Sequence, residues 1–212
     1  MAIRIAIADE VDLTLLGAQT VLALDYRYRV VGTARSKGQL HSVLVAGQPD
    51  VIIMSTRLHD TDLFTTLEQL RSNNPRLKVI VIAGMMHGLL IRDLLEAGAD
   101  AVLCRGDDLC DLLGMAVQVV MANRPFLSPT ASAEYLTAMQ SASPYDGFDR
   151  EQRQILHLLA HGYSIDQIAR LLQVDTRHIY WVRHKLRRRF GAKTNEHLIQ
   201  RANSDGFIFA QD

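Results

Sequence analysis

Two groups of side chains in this sequence could do chemistry, and they lie far apart along the chain. The first is sparse. Asp9 and Glu10 follow the apolar run 3–8, Ser55 closes the run 51–54, Ala83 ends the run 78–82, and Arg105 follows the run 101–104. Adjacent carboxylates call for a cationic partner, and a serine hydroxyl becomes a nucleophile only beside an activating base. The second group is dense. Between Asp175 and Phe190 stand Arg177, His178, Tyr180, Trp181, Arg183, His184, Lys185, Arg187, Arg188 and Arg189. Cations interleaved with aromatics at helical spacing suit the phosphates and base edges of a nucleic acid.

The first group needs a sheet to hold it. Up to residue 124, short apolar runs alternate with helical patterns: 3–8 then 13–24, 29–34 then 37–46, 51–55 then 61–73, 78–84 then 87–99, and 101–104 then 108–122. Five such repeats predict a doubly wound, five-stranded parallel sheet with helices on both faces. Gly98 fits the residue just past a helix end. In sheets of this kind the chemistry lies beyond the carboxyl ends of the strands, so Asp9, Glu10, Ser55, Ala83 and Arg105 should share one edge. Arg105 would then either reach Asp9 or Glu10, or stand in solvent beside a hydrated acidic pair.

On the phrases "IRIAIADE", "PDVIIM", "KVIVI" and "LLEAGADAVLCRG", this half resembles the receiver domain of bacterial response regulators, a flavodoxin-like fold. The resemblance implies an acidic pair for Mg²⁺, an aspartate that accepts phosphate, a Thr/Ser that orders a switch, and a lysine that pairs with the phosphate. The acidic pair is present as Asp9 and Glu10. The acceptor position is Ser55, the switch position is Ala83 and the lysine position is Arg105, and His59 replaces a proline common after the acceptor. A hydroxyl is a poor acceptor without a base, two side-chain ligands are few for octahedral magnesium, and alanine donates no hydrogen bond. The expectation is a degenerate receiver, regulated by dimerisation, by a partner protein, or by a small ligand at the Met-rich rim 84–88 rather than by aspartyl phosphorylation.

Residues 125–147, rich in Ser, Ala and Pro, read as a part-helical linker between a domain at 1–124 and another at 148–212. Asp149 with Gln152, Ser164 and Asp175 supply helix starts. Ile179, Val182, Leu186 and Phe190 make a buried stripe on the third helix. Helix, helix, tight turn and basic helix is the order of a helix-turn-helix. Between Phe148 and Lys193 ten Lys/Arg face four Asp/Glu, within a chain of net charge zero, so nucleic acid is expected on one side only.

The phrases "ILHLLAHGYS", "QIARLLQV" and "KLRRRFGA" make this half similar to the DNA-binding domain of the LuxR/NarL/FixJ family. That resemblance implies base reading by Tyr180, Trp181 and His184, and phosphate contacts from Arg177, Lys185 and Arg188. It also implies dimerisation through Leu198, Ile199 and Ala202 on two half-sites about one helical turn apart. Gln152, Asp166 and Val182 depart from the usual Glu, Lys and His, and Asp166 should cost a phosphate contact. For Trp181 the alternative is packing against the neighbouring helix.

Composition narrows the rest. Two cysteines, Cys104 and Cys110, make neither a disulfide framework nor a metal site, and His41, His59 and His87 are scattered. Neither a signal peptide nor an apolar run of about 18 residues is evident, so a cytoplasmic protein without membrane contact is expected. No catalytic constellation, metal or cofactor is expected. The leading expectation is a homodimeric regulator on a palindromic duplex, read in the major groove. Two alternatives stand beside it: an auxiliary acting through a heteromeric partner, and a phosphorylated switch using Ser55, Asp50 or Asp60.

Overall fold

The computed structural model describes residues 2–56, 58, 63–84, 88–140 and 150–204, Arg150 by its backbone only. The Asp149 cap, His59, Asp60 and the centre of the 84–88 rim fall outside them. The chain divides into two compact units, Met1–Leu136 and Thr137–Asp212.

In the first unit, β1 (Ile3–Ala8), β2 (Tyr28–Ala34), β3 (Val51–Ser55), β4 (Lys78–Ala83), β5 (Ala101–Cys104) and β6 (Phe126–Leu127) alternate with α1 (Asp12–Ala23), α2 (Lys37–Gly47), α3 (Leu63–Asn73), α4 (Gly88–Glu96) and α5 (Leu109–Met121). The sheet is parallel, in the order β2-β1-β3-β4-β5-β6. Branched residues fill the strands because both faces are covered. Ile5, Ile7, Ile53, Ile80, Ile82 and Leu103 pack with Leu15 and Leu22 of α1 and Leu113, Val117 and Val120 of α5. The alternate residues Ala6, Ile52, Met54, Val79, Val81 and Val102 are equally buried and face the opposite side. Gly98 has φ +112°, a left-handed turn that ends α4 and starts the approach to β5.

The sixth strand corrects the expected five. Phe126–Leu127 extends the ladder beside Ala101 and Val102, so residues 125–136, expected in the linker, lie in the first unit. Ser128 explains why. Its fully buried hydroxyl accepts the Cys104 amide at 2.9 Å, closing the end of β5 that would otherwise carry an orphan donor. A helix, α6 (Pro129–Gln140), follows.

In the second unit, α7 (Arg150–Ala160), α8 (Ile165–Leu172), α9 (Thr176–Arg189) and α10 (Asn195–Ser204) enclose a small core of Ile155, Leu156, Leu159, Ile168, Ile179, Val182, Leu186, Phe190, Leu198 and Ala202. Ser164 and Gln167 form a complete capping box at the start of α8. Gln173 adopts φ +55° to end α8, and Asp175 accepts the Arg177 amide at 2.7 Å to start α9. Helix, tight turn and basic helix are thus as the sequence led us to expect.

Leu198 and Ala202, expected on a dimer surface, are fully buried inside this core, and Ile199 packs half-buried against it. A unit this small uses such apolar stripes for its own interior. The outer face of α10 carries Glu196, Gln200, Arg201 and Asn203 instead.

Candidate functional site

The carboxyl edge of the sheet brings the sparse group together, because β1 and β3 are neighbours at the point where the strand order reverses. Asp9 is 2% exposed and Ser55 likewise 2%. Arg105 joins them: its Nη2 donates to Asp9 Oδ2 at 3.0 Å and to Ser55 Oγ at 3.0 Å, and its Nη1 donates to Thr14 Oγ1 at 3.1 Å. The second Asp9 oxygen accepts the Val11 amide at 2.8 Å. Of the two arrangements open for Arg105, the structure therefore has the ion pair, with Asp9. Glu10 is exposed beside it. Ala83 is fully buried and takes part through its backbone, its carbonyl accepting the Arg105 amide at 2.7 Å.

A buried carboxylate is tolerable only when paired and hydrogen-bonded, and Arg105 meets both demands. The same guanidinium gives Ser55 Oγ a hydrogen-bond donor. The residues do not fit a magnesium ion: a guanidinium spans Asp9 and Ser55, the third carboxylate is replaced by a hydroxyl, and among the described residues no group of three His, Cys, Asp or Glu side chains could hold a metal. Cys104 is buried and Cys110 exposed, both free thiols.

Two partners at this edge were invisible in the sequence. Thr14 lies one turn into α1, and Ser128 follows β6; each reaches the edge across many residues, with no local signal. Asp107 adds a third tie, accepting the Thr130 amide at 3.2 Å and the Thr130 hydroxyl. Partial burial pushes its carboxyl up, but hydrogen bonds from Ser128 and Thr130 outweigh that and hold it below the usual carboxylate range.

The dense group stands on α9. Ile179, Val182 and Leu186 are fully buried on one side. Arg177, Tyr180, Trp181, His184, Lys185 and Arg188 are the residues of α9 that are exposed, at spacings of three and four that make one continuous stripe. Trp181 is 59% exposed, so it does not pack away on a neighbouring helix. Arg183, Arg187 and Arg189 are half-buried along the flanks. His178 turns back to Glu151 at the start of α7, with Nε2 and Oε1 2.8 Å apart, bracing the N-terminal turn of α9. Asp166 stands exposed on the first turn of α8.

A doubly wound receiver-type sheet followed by a helix-turn-helix unit is the class this fold defines. Residues 5–115, just over half of the 212, match the family model of the response regulator receiver domain, and the chain belongs to that family. It is 26% identical over 175 residues to the DNA-binding transcriptional activator DevR/DosR of Mycobacterium tuberculosis, covering 79% of this chain and 78% of the relative. It is 23% identical over 170 residues to the response regulator protein VraR of Staphylococcus aureus, covering 80% and 81%. Among solved structures it is similar to RcsB of Salmonella enterica serovar Typhimurium bound to promoter rprA with the phosphomimetic BeF3⁻, at TM-score 0.77 and 17% identity over 96% of this chain and 99% of that one. It is also similar to RcsB in a structure of two dimers bound to two parallel DNAs, at TM-score 0.64 and 16% identity over 96% and 99%. At these identities the structural likeness speaks for the fold.

Proposed function

We propose that this protein is a sequence-specific, DNA-binding transcription regulator, not an enzyme, whose receiver domain works without aspartyl phosphorylation. The exposed stripe of α9 carries the first part. Its opposite face is committed to the core, so a row of cations and aromatics is left outward on a 14-residue helix, long enough for a major-groove reader. Arg177, Lys185 and Arg188 neutralise phosphates; Tyr180, Trp181 and His184 face the base edges. DevR/DosR, by name a DNA-binding transcriptional activator, supports the same reading.

The Arg105 network carries the second part. A guanidinium bonded to both Asp9 and Ser55 takes the place of the cation and phosphate that the receiver family uses, and holds the edge in one arrangement. Asp50 offers no substitute acceptor, since it precedes β3 at the opposite end of the sheet and its carboxylate accepts the Arg4 amide at 2.8 Å. We take regulation to act through dimerisation, a partner protein or a small ligand, in the cytoplasm. Dimerisation of the first unit fits the uncharged outer stripe of α1: Leu13 is 77% exposed, Leu16 61% and, just past the helix, Leu24 84%. The palindromic site follows from two-fold symmetry.

The test is capture of genomic fragments by untreated full-length protein. Enrichment of a palindromic motif without a phosphodonor is the expected result. Retention of fragments only after acetyl-phosphate treatment overturns the phosphorylation-independent part, and no enrichment under either condition overturns DNA binding by this protein on its own. Asp166, an acid on the helix beside the reading helix, favours a second reading in that event: an auxiliary that contacts DNA through a heteromeric partner.

A further inference from the structure

The residue types on the α9 stripe select among the four base pairs, as much by omission as by presence. Adenine is read bidentately by Asn or Gln, and the cytosine amino group by Asp or Glu. None of the six exposed residues is one of these. His184 offers one ring edge and reads no base with two bonds. With Arg177, Lys185 and Arg188 on phosphates, what remains is the thymine C5 methyl, which apolar surface reads. The cations stand at the two ends of the stripe and the aromatics in its middle.

The aromatics are also held in place before any duplex arrives. Tyr180 is 51% exposed and Trp181 59%, a large apolar surface in water that the fold itself does not use. The Arg183 guanidinium carbon lies over the Tyr180 ring, 4.8 Å from its centroid, and Lys185 Nζ lies over the Trp181 ring at 5.3 Å. His178, fixed by Glu151, sets its ring 6.0 Å from that of Trp181, tilted 30°. A cation on one face of each ring orients it and leaves the remaining surface open to a methyl group. Side chains fixed in advance lose little rotamer freedom on binding.

We propose, resting on the DNA-binding reading above, that Tyr180 and Trp181 recognise thymine methyl groups. The half-site then carries T·A pairs at its centre, read from the pyrimidine side. The adenines opposite go unread on their own edges.

The experiment uses the full-length protein. A random duplex library gives the half-site, and each thymine in it is then replaced by uracil, which removes the methyl and keeps every hydrogen-bonding group. At the contacted positions binding weakens about fourfold per methyl removed. In a second arm with the same protein, 5-methylcytosine·G placed at such a position binds more tightly than C·G by a similar factor. Trp181→Ala and Tyr180→Ala each erase the distinction between thymine and uracil at one position, and Trp181→Leu, which keeps an apolar contact, retains part of it. Indifference to uracil at every position of a selected half-site overturns this inference and leaves DNA binding intact. So does discrimination that survives both alanine variants. If the intact protein retains no duplex at all, the DNA-binding reading fails and this inference with it.

Discussion

The two groups of charged residues end in opposite conditions. At the carboxyl edge of the sheet, anion and cation come from the same chain and satisfy one another: Asp9, Ser55 and Thr14 all accept from Arg105. On α9 the helix from Thr176 to Arg189 contains no carboxylate, and Arg177, Lys185 and Arg188 face water. Charge that is neutralised internally is spent on the fold, whereas a row of like charge on a rigid face is stabilised by a partner of opposite sign. The contrast predicts that mutations in the two places will fail differently.

The largest effect should come from removing the outward charge. Arg177→Ala, Lys185→Ala and Arg188→Ala together lower DNA affinity on the order of a thousandfold at moderate salt, and flatten the dependence of log affinity on log salt by about 1 per residue. Fluorescence anisotropy across a salt series reads both quantities, and the urea midpoint of the second unit should stay in place because all three are exposed. Equal losses of folding and binding would erase the contrast. Arg105→Ala should fail the other way. It strands the buried Asp9 carboxylate and costs about 2–3 kcal/mol of folding stability, toward the low side because the Arg105 side chain is 33% exposed. Urea unfolding followed by far-UV circular dichroism measures it, and unchanged stability would mean that the network contributes nothing.

Two smaller effects sharpen the picture. Ser164→Ala removes the capping box of α8 and should cost about 1 kcal/mol in the second unit, with weaker DNA binding only in proportion to unfolding. Asp107 concerns the other unit. Its folded carboxyl titrates below its unfolded value, so its contribution is present above the unfolded value and is lost as pH falls through the folded one. Protection of the Thr130 amide, taken relative to its intrinsic exchange rate, should therefore fall in acid, and Asp107→Asn should remove that dependence. An unchanged acid profile in the variant would assign the loosening to another group.

Much of this was legible in the residues. The five long strands came out within a residue or so, because runs such as "VIIMS" are apolar on both faces and end on turn residues. On α9 the period of 3.6 gave the buried stripe Ile179, Val182, Leu186 and left ten residues on the other faces; the six that stand exposed were singled out by the resemblance to the LuxR-type domain. Phe126–Leu127 did not: two residues between Pro125 and Pro129 are too short to show a period, and the prolines read as linker. The edge residues were placed by topology, but the choice of Asp9 over Glu10, and the roles of Thr14 and Ser128, rest on contacts between distant parts of the chain. The apolar stripe of α10 was visible, yet periodicity says only that a face is covered. It does not say whether the cover is the domain's own core, as it is for Leu198 and Ala202, or a second molecule.

The guanidinium at the edge has one further consequence, in terms of linkage. A receiver whose acidic pocket is completed by a free divalent ion gains stability with the logarithm of that ion's concentration. In this chain the Asp9 counter-ion is a side chain, present at fixed stoichiometry. On the proposed reading that half of the molecule is uncoupled from magnesium: chelators should not soften it, and millimolar magnesium should not raise its melting temperature. The edge would then be a rivet and not a chemical potentiometer.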